Sequence, residues 1–156
     1  MKSMELNATH VAVDRKVFAA SLPVLTFAHT MRIVGIVFLI EYSRGVLPAM
    51  FAFPVAFGEI FMGATAPFMT WLVASKRVTL RRLITWNSLG LLNLISAVTL
   101  GVLCSPSPLG ILAKGVTTQA LGQFPLVLIP TFFVPLLVIF HLISISRARY
   151  LDDGVK

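Results

Sequence analysis

Charge is scarce in this chain. Lysine and arginine number 13 and aspartate and glutamate six among 156 residues, so 12% of the chain is charged, where soluble domains carry about 25%. A domain that must cover its core with a solvated polar surface is therefore excluded. Cysteine is nearly absent, and the single Cys104 rules out an internal disulfide and any CxxC redox or metal centre. The sequence also lacks GxSxG, HExxH and a phosphate loop, and its serines are scattered without acid and histidine partners. Soluble enzyme chemistry is thereby excluded as a function class.

Apolar sequence fills the space left by charge. Hydrophobic residues make up 57% of the chain and the mean hydropathy is +0.90, values of a membrane protein. A run of about 20 mainly apolar residues matches the roughly 30 Å hydrocarbon core of a bilayer. Four such runs are present. Their expected limits are 22–43, 54–74, 83–104 and 124–146, within a transmembrane domain at 21–146. An N-terminal arm (1–20) and a tail (147–156) flank it. The fold class expected is all-α, a polytopic protein with four transmembrane helices packed as a bundle.

Local signals place the ends. Ser21 is a plausible N-cap with Pro23 tolerated in the first turn, and Pro54 suits the opening of the second run. Pro67 falls inside that run, where it removes one backbone hydrogen bond. Pro125, Pro130 and Pro135 predict an irregular first half of the fourth run and a regular second half. The connection from Ser105 to Gln123 is the longest, and its Leu109–Gly115 stretch is expected as a short interfacial helix. Thr26 and Ala28 resemble a signal-cleavage site, but apolarity continues to Ile40, longer than a signal h-region, so no cleavage is expected.

Orientation follows from the basic residues. Lys2, Arg15 and Lys16, then Lys76, Arg77, Arg81 and Arg82, then Arg147, Arg149 and Lys156 fall on one side. Arg44 and Lys114 fall on the other. This asymmetry predicts cytoplasmic termini, N-in and C-in. The formal charge of +7 is accounted for by topology, since these residues sit at the ends of apolar runs and form no aromatic-studded surface for nucleic acid.

Ionisable groups inside a span are functional candidates. His29, Asn87 and His141 share one depth in the inner half. Arg32 and Asn93 lie nearer the midplane, and Glu41, Arg44 and Glu59 form an outer polar layer. Two site hypotheses result. One is a polar intramembrane site in which Arg32 pairs with Glu59 or Glu41, with Asn87 and Asn93 lining the interior, serving a transporter-like binder or acting only as structural glue. The other is a b-type haem held by His29 and His141, with Arg32 pairing a propionate, which would make the chain an electron carrier. No ligand set for zinc or a di-iron centre is present.

The phrases RIVGIVFL, LPAMFAFPVAFGE, GATAPF, WNSLGLLNL, SPSPLGILA and FPLVLIPTFFVPLLVIFHL together resemble a family of small four-span bacterial inner-membrane proteins of uncharacterised function. The resemblance covers roughly residues 30–145. It implies the span count and a bacterial inner-membrane location, and it implies no activity or site residues. With so few polar groups, the protein is expected to work in the lipid bilayer as a homo-oligomer or as a subunit of a larger membrane complex.

Overall fold

The computed structural model describes residues 21–153; the expected N-terminal arm (1–20) and the last residues of the tail lie outside them. Four helices follow one another. They are α1 (Ser21–Ser43), α2 (Ala49–Ala74), α3 (Leu80–Leu103) and α4 (Val134–Asp153), the last preceded by a wide π-type turn, Ile129–Phe133. Among the described residues there is no strand beyond one isolated bridge, Lys114 to Val116. All four helical stretches are long and apolar enough to cross a membrane.

Each helix buries a stripe at three- and four-residue spacing, the signature of one helical face turned inward. On α2 the stripe runs through Ala52, Val55, Glu59, Met62, Ala66 and Met69. On α3 it runs through Leu83, Asn87, Gly90, Leu94 and Ala97, and on α4 through Leu137, His141, Ser144 and Ala148. Neighbouring helices run antiparallel: Phe38 of α1 meets Phe51 of α2, Trp86 of α3 bonds Thr65 of α2, and Asn87 of α3 bonds His141 of α4.

The apolar core is in two parts. One cluster, with Leu22, Met62, Ala66, Leu83, Trp86 and Ala148, occupies the end where α1 begins and α4 finishes. The other, with Phe38, Leu47, Phe51, Ala56 and Cys104, occupies the opposite end. Between them lies a polar layer.

The helix ends differ from expectation in ways the chain explains. The second helix starts at Ala49, because Pro48 stands in extended conformation (φ −76°, ψ 144°) and its carbonyl accepts from Phe51 and Ala52. Pro54 then falls inside the helix, as does Pro67. Thr79 caps α3, its hydroxyl accepting from the Arg82 amide. Regular α4 begins at Val134 rather than Phe124, the proline-rich stretch before it forming turns and the π segment. The Leu109–Gly115 stretch is not a helix. It runs as turns, and Gly115 takes φ +78°, a conformation that ends helical continuation. The loop instead docks on the end of α3, with Leu112 and Thr118 amides donating to Leu103 and Cys104 carbonyls at 2.8 and 2.9 Å.

The sequence offers no sign of one feature of α1. From His29 to Gly35 the helix tightens to 3-10 geometry for seven residues, where runs beyond three or four are uncommon. At three residues per turn, side chains three apart lie directly above one another. His29, Arg32 and Gly35 accordingly form a single buried column. In an α-helix each would be rotated about 60° from the last. Gly35 lets α2 come close, since a Cβ there would overlap the Glu59 side chain.

Candidate functional site

The polar layer is built on the Arg32 guanidinium, which is 2% exposed as a residue. Its Nε donates to Glu59 Oε2 at 2.8 Å and its Nη2 to Glu59 Oε1 at 2.6 Å, the two-pronged geometry that suits a planar guanidinium to a carboxylate. Asn93 Nδ2 donates to the same Oε1 at 2.8 Å. On the other side, Arg32 Nη1 lies 3.0 Å from His141 Nε2 and 3.4 Å from the Gly90 carbonyl oxygen.

The arginine fixes the state of the histidine. A guanidinium has donors only, so His141 Nε2 accepts, and the ring proton sits on Nδ1. That N–H points at Asn87 Oδ1, 2.9 Å away, while Asn87 Nδ2 donates to the Leu83 carbonyl at 2.9 Å. An unbroken chain of hydrogen bonds thus runs from Asn93 on α3 through Glu59 on α2, Arg32 on α1 and His141 on α4, back to Asn87 on α3. All four helices contribute.

Gly90 makes this closure possible. It lies three residues from Asn87 and three from Asn93, so the two asparagines flank it at about 60° on either side of the helix face. A Cβ at position 90 would overlap both the His141 ring and the Met62 methyl. The two asparagines stand about 120° apart on α3, and the bare glycine backbone between them gives the arginine and the imidazole room to bridge the gap.

The predicted residues divide as follows. Arg32, Glu59, Asn87, Asn93 and His141 meet in one network, which joins the His141 of the haem hypothesis to the residues of the polar-site hypothesis. Glu41 does not join it. It lies near the end of α1 and accepts from Arg44 Nη1 at 3.0 Å, one turn along the same helix. His29 is fully buried but bonds to nothing through its ring nitrogens among the described residues. Its ring stacks on His141 at 3.9 Å between centroids, 18° from parallel, with the Trp86 ring edge-on at 5.6 Å.

This arrangement does not fit the haem expectation. Axial ligation places two imidazoles on opposite faces of the macrocycle, each with a ring nitrogen aimed at the iron. Here the rings lie face to face, and both nitrogens of His141 are engaged by Arg32 and Asn87. Arg32 is in turn held by Glu59, leaving no free partner for a propionate. Among the described residues no group of three or more His, Cys, Asp or Glu is placed to hold a metal ion.

Sequence reasoning missed the cavity beside the network. It measures about 440 Å³ and is lined by all four helices at the end away from the histidines, within the range of about 300–1,000 Å³ typical of small-molecule sites. Phe38, Phe51, Val55, Phe133 and Leu137 are among its walls, and Arg32 with Glu59 stands at its floor. Both irregular helical segments line it: the 3-10 stretch of α1 contributes Met31, Val34 and Gly35, and the π turn before α4 contributes Ile129, Pro130 and Phe133. Breaks in helix geometry of this kind recur at functional sites.

A four-helix chain of membrane-spanning character, with a charged network buried at mid-bundle beneath an apolar cavity, is the class these observations define. The chain belongs to the family described as Domain of unknown function (DUF8737), whose model matches residues 6–149. No curated protein and no solved structure matches it.

Proposed function

We propose that the protein is a multi-pass component of a bacterial inner membrane, both termini cytoplasmic, acting as a small transporter-like binder at the Arg32–Glu59–Asn93 layer. The observation that carries this reading is the position of the ion pair at the floor of the 440 Å³ cavity. A pair serving only to hold helices together needs no cavity over it. The ten-to-two distribution of Lys and Arg supports the orientation, with the cavity then facing the outer leaflet. Few polar groups line the rest of the bundle, which favours action as an oligomer or with a larger membrane partner.

The test of binding is chemical. Wild type and Glu59→Gln are purified side by side in mild detergent, matched by circular dichroism, and their organic extracts compared by mass spectrometry. A small lipophilic component held by wild type and lost from the variant is expected; indistinguishable extracts overturn the reading. Orientation is tested with fluorescent-protein fusions that mature only in the cytoplasm, expected to fluoresce at both termini; a dark fusion at either end overturns it.

A second reading rests on the same pair. Arg32 is bound through both prongs and its side chain has no exposed surface, as expected of a register lock between α1 and α2.

A further inference from the structure

The two partners at the cavity floor are not equally accessible. The Arg32 side chain is 0% exposed while that of Glu59 is 10% exposed, so whatever occupies the cavity meets the carboxylate side of the pair. Glu59 Oε1 already accepts from Arg32 Nη2 and Asn93 Nδ2, and Oε2 accepts from Arg32 Nε alone. A carboxylate offers about four acceptor positions, so Oε2 retains acceptor capacity. A hydrogen-bond donor is the complement the floor asks for.

Charge narrows the donor further. The guanidinium stands within 2.6 Å of the carboxylate and neutralises it, so an arriving ammonium gains little from Glu59 and is repelled by Arg32. In an apolar cavity that ammonium would also lose its hydration without compensation. A hydroxyl has no such cost: it donates to Oε2 and carries no charge. The walls, formed by residues such as Phe38, Phe51, Val55 and Leu137, suit a hydrocarbon body behind it. Lining residues on α1 and α3 are in part exposed, with Val34 at 56% and Val98 at 49%, so a molecule dissolved in the bilayer has a sideways route in.

We infer that the cavity binds a neutral lipophilic alcohol or phenol, hydroxyl leading, with the hydroxyl donating to Glu59. This inference rests on the binding reading above and adds the ligand class. It explains why an acid is neutralised in place yet left partly exposed, with acceptor capacity to spare.

The experiment compares three probes of equal chain length. The wild-type protein is placed in nanodiscs of a single phosphatidylcholine with equal mole fractions of dodecanol, dodecane or dodecylamine, and its thermal midpoint is measured. The same is done for Gly101→Leu, which fills the cavity away from the ion pair; a Cβ at 101 makes only an ordinary 3.7 Å contact with Phe51, and circular dichroism matched to wild type checks that the variant is folded. Dodecanol is expected to raise the wild-type midpoint by about 3 °C or more, with the other two probes within about 1 °C of the untreated protein. It is expected to do nothing to Gly101→Leu. A shift by dodecane or dodecylamine equal to that of dodecanol, abolished in Gly101→Leu, overturns the hydroxyl assignment while the cavity still binds. A dodecanol shift that survives in Gly101→Leu, or its absence in wild type, overturns the inference at the level of the site.

Discussion

Two arginines, Arg32 within α1 and Arg44 at its C-terminal cap, each face a glutamate in opposite surroundings. Arg44 reaches Glu41 along its own helix, with its side chain 66% exposed. Arg32 reaches across to Glu59 on α2 with no exposed side-chain surface, and the pair is bonded further by Asn93 and His141. Solvent screens the first pair, and side-chain entropy offsets most of its attraction. The second pair has lost its hydration on both sides, so its worth depends on each partner having the other. The same two residue types thus form an ornament of the surface in one place and a mutual dependence in the other.

That dependence gives the largest expected effect. Arg32→Leu strands the Glu59 carboxylate and Glu59→Leu strands the guanidinium, each costing about 3–5 kcal/mol of stability. The double variant, with two leucines in the same space, is expected to regain most of the loss. Thermal unfolding in mild detergent checks this through the sign of the coupling: losses that simply add would show that the two side chains do not depend on each other. Recovery of stability with loss of any bound molecule would separate the structural share of the pair from its binding share.

The two histidines sharpen the comparison at intermediate size. His141 bridges Arg32 and Asn87, so His141→Phe removes an acceptor from a buried guanidinium and leaves Asn87 Oδ1 bare, at a cost of about 1–3 kcal/mol. His29 contributes a ring face and no hydrogen bond among the described residues. His29→Phe keeps the ring and removes two unpartnered nitrogens, and is expected to leave the melting temperature unchanged or raised. Equal losses from the two substitutions would show that the stacked pair, not the hydrogen-bond chain, holds α1 to α4. Oxidised and dithionite-reduced absorption spectra of the wild type are expected to be featureless in the Soret region; a b-type band would overturn the assignment of His141 to the arginine.

How much of this was legible follows from what a linear pattern encodes. Four apolar runs were plain, because hydrophobicity accumulates over about 20 residues and survives local irregularity. The proline spacing in 124–146 foretold the irregular start of the fourth run, and depth counting set Arg32 and Asn93 together near the midplane, but it put His141 in an inner layer and Glu59 in an outer one, apart from the arginine that bonds both. Depth says nothing about the direction in which a side chain leaves its helix. Glu41 and Glu59 were equal candidates for Arg32 on that ground. The choice was made by position: Glu41 stands nine residues further along the same helix, about 14 Å in rise, while the seven-residue 3-10 stretch and Gly35 bring Arg32 against Glu59 on α2. Neither that stretch nor the cavity has a sequence signature, since both arise where helices meet. Gly90 did have one, midway between two asparagines, though its meaning needs the His141 ring on the facing helix.

The exposed pair supplies the smallest effect and the control for all the others. Glu41 holds Arg44 at 3.0 Å across one turn, with the Arg44 side chain 66% exposed and water free to take its place, so Arg44→Ala or Glu41→Ala should cost about 0.2–1 kcal/mol, and less as salt is raised. The Arg32–Glu59 pair lies where added ions do not reach, so the stability lost on breaking it should not change between low and high salt. Measuring both sets of variants across a salt series tests the contrast directly. If the Arg32 and Glu59 variants lose their penalty in salt as the Arg44 and Glu41 variants do, ions and water reach the polar layer freely, and the cavity floor is a wet surface rather than one open only to apolar molecules.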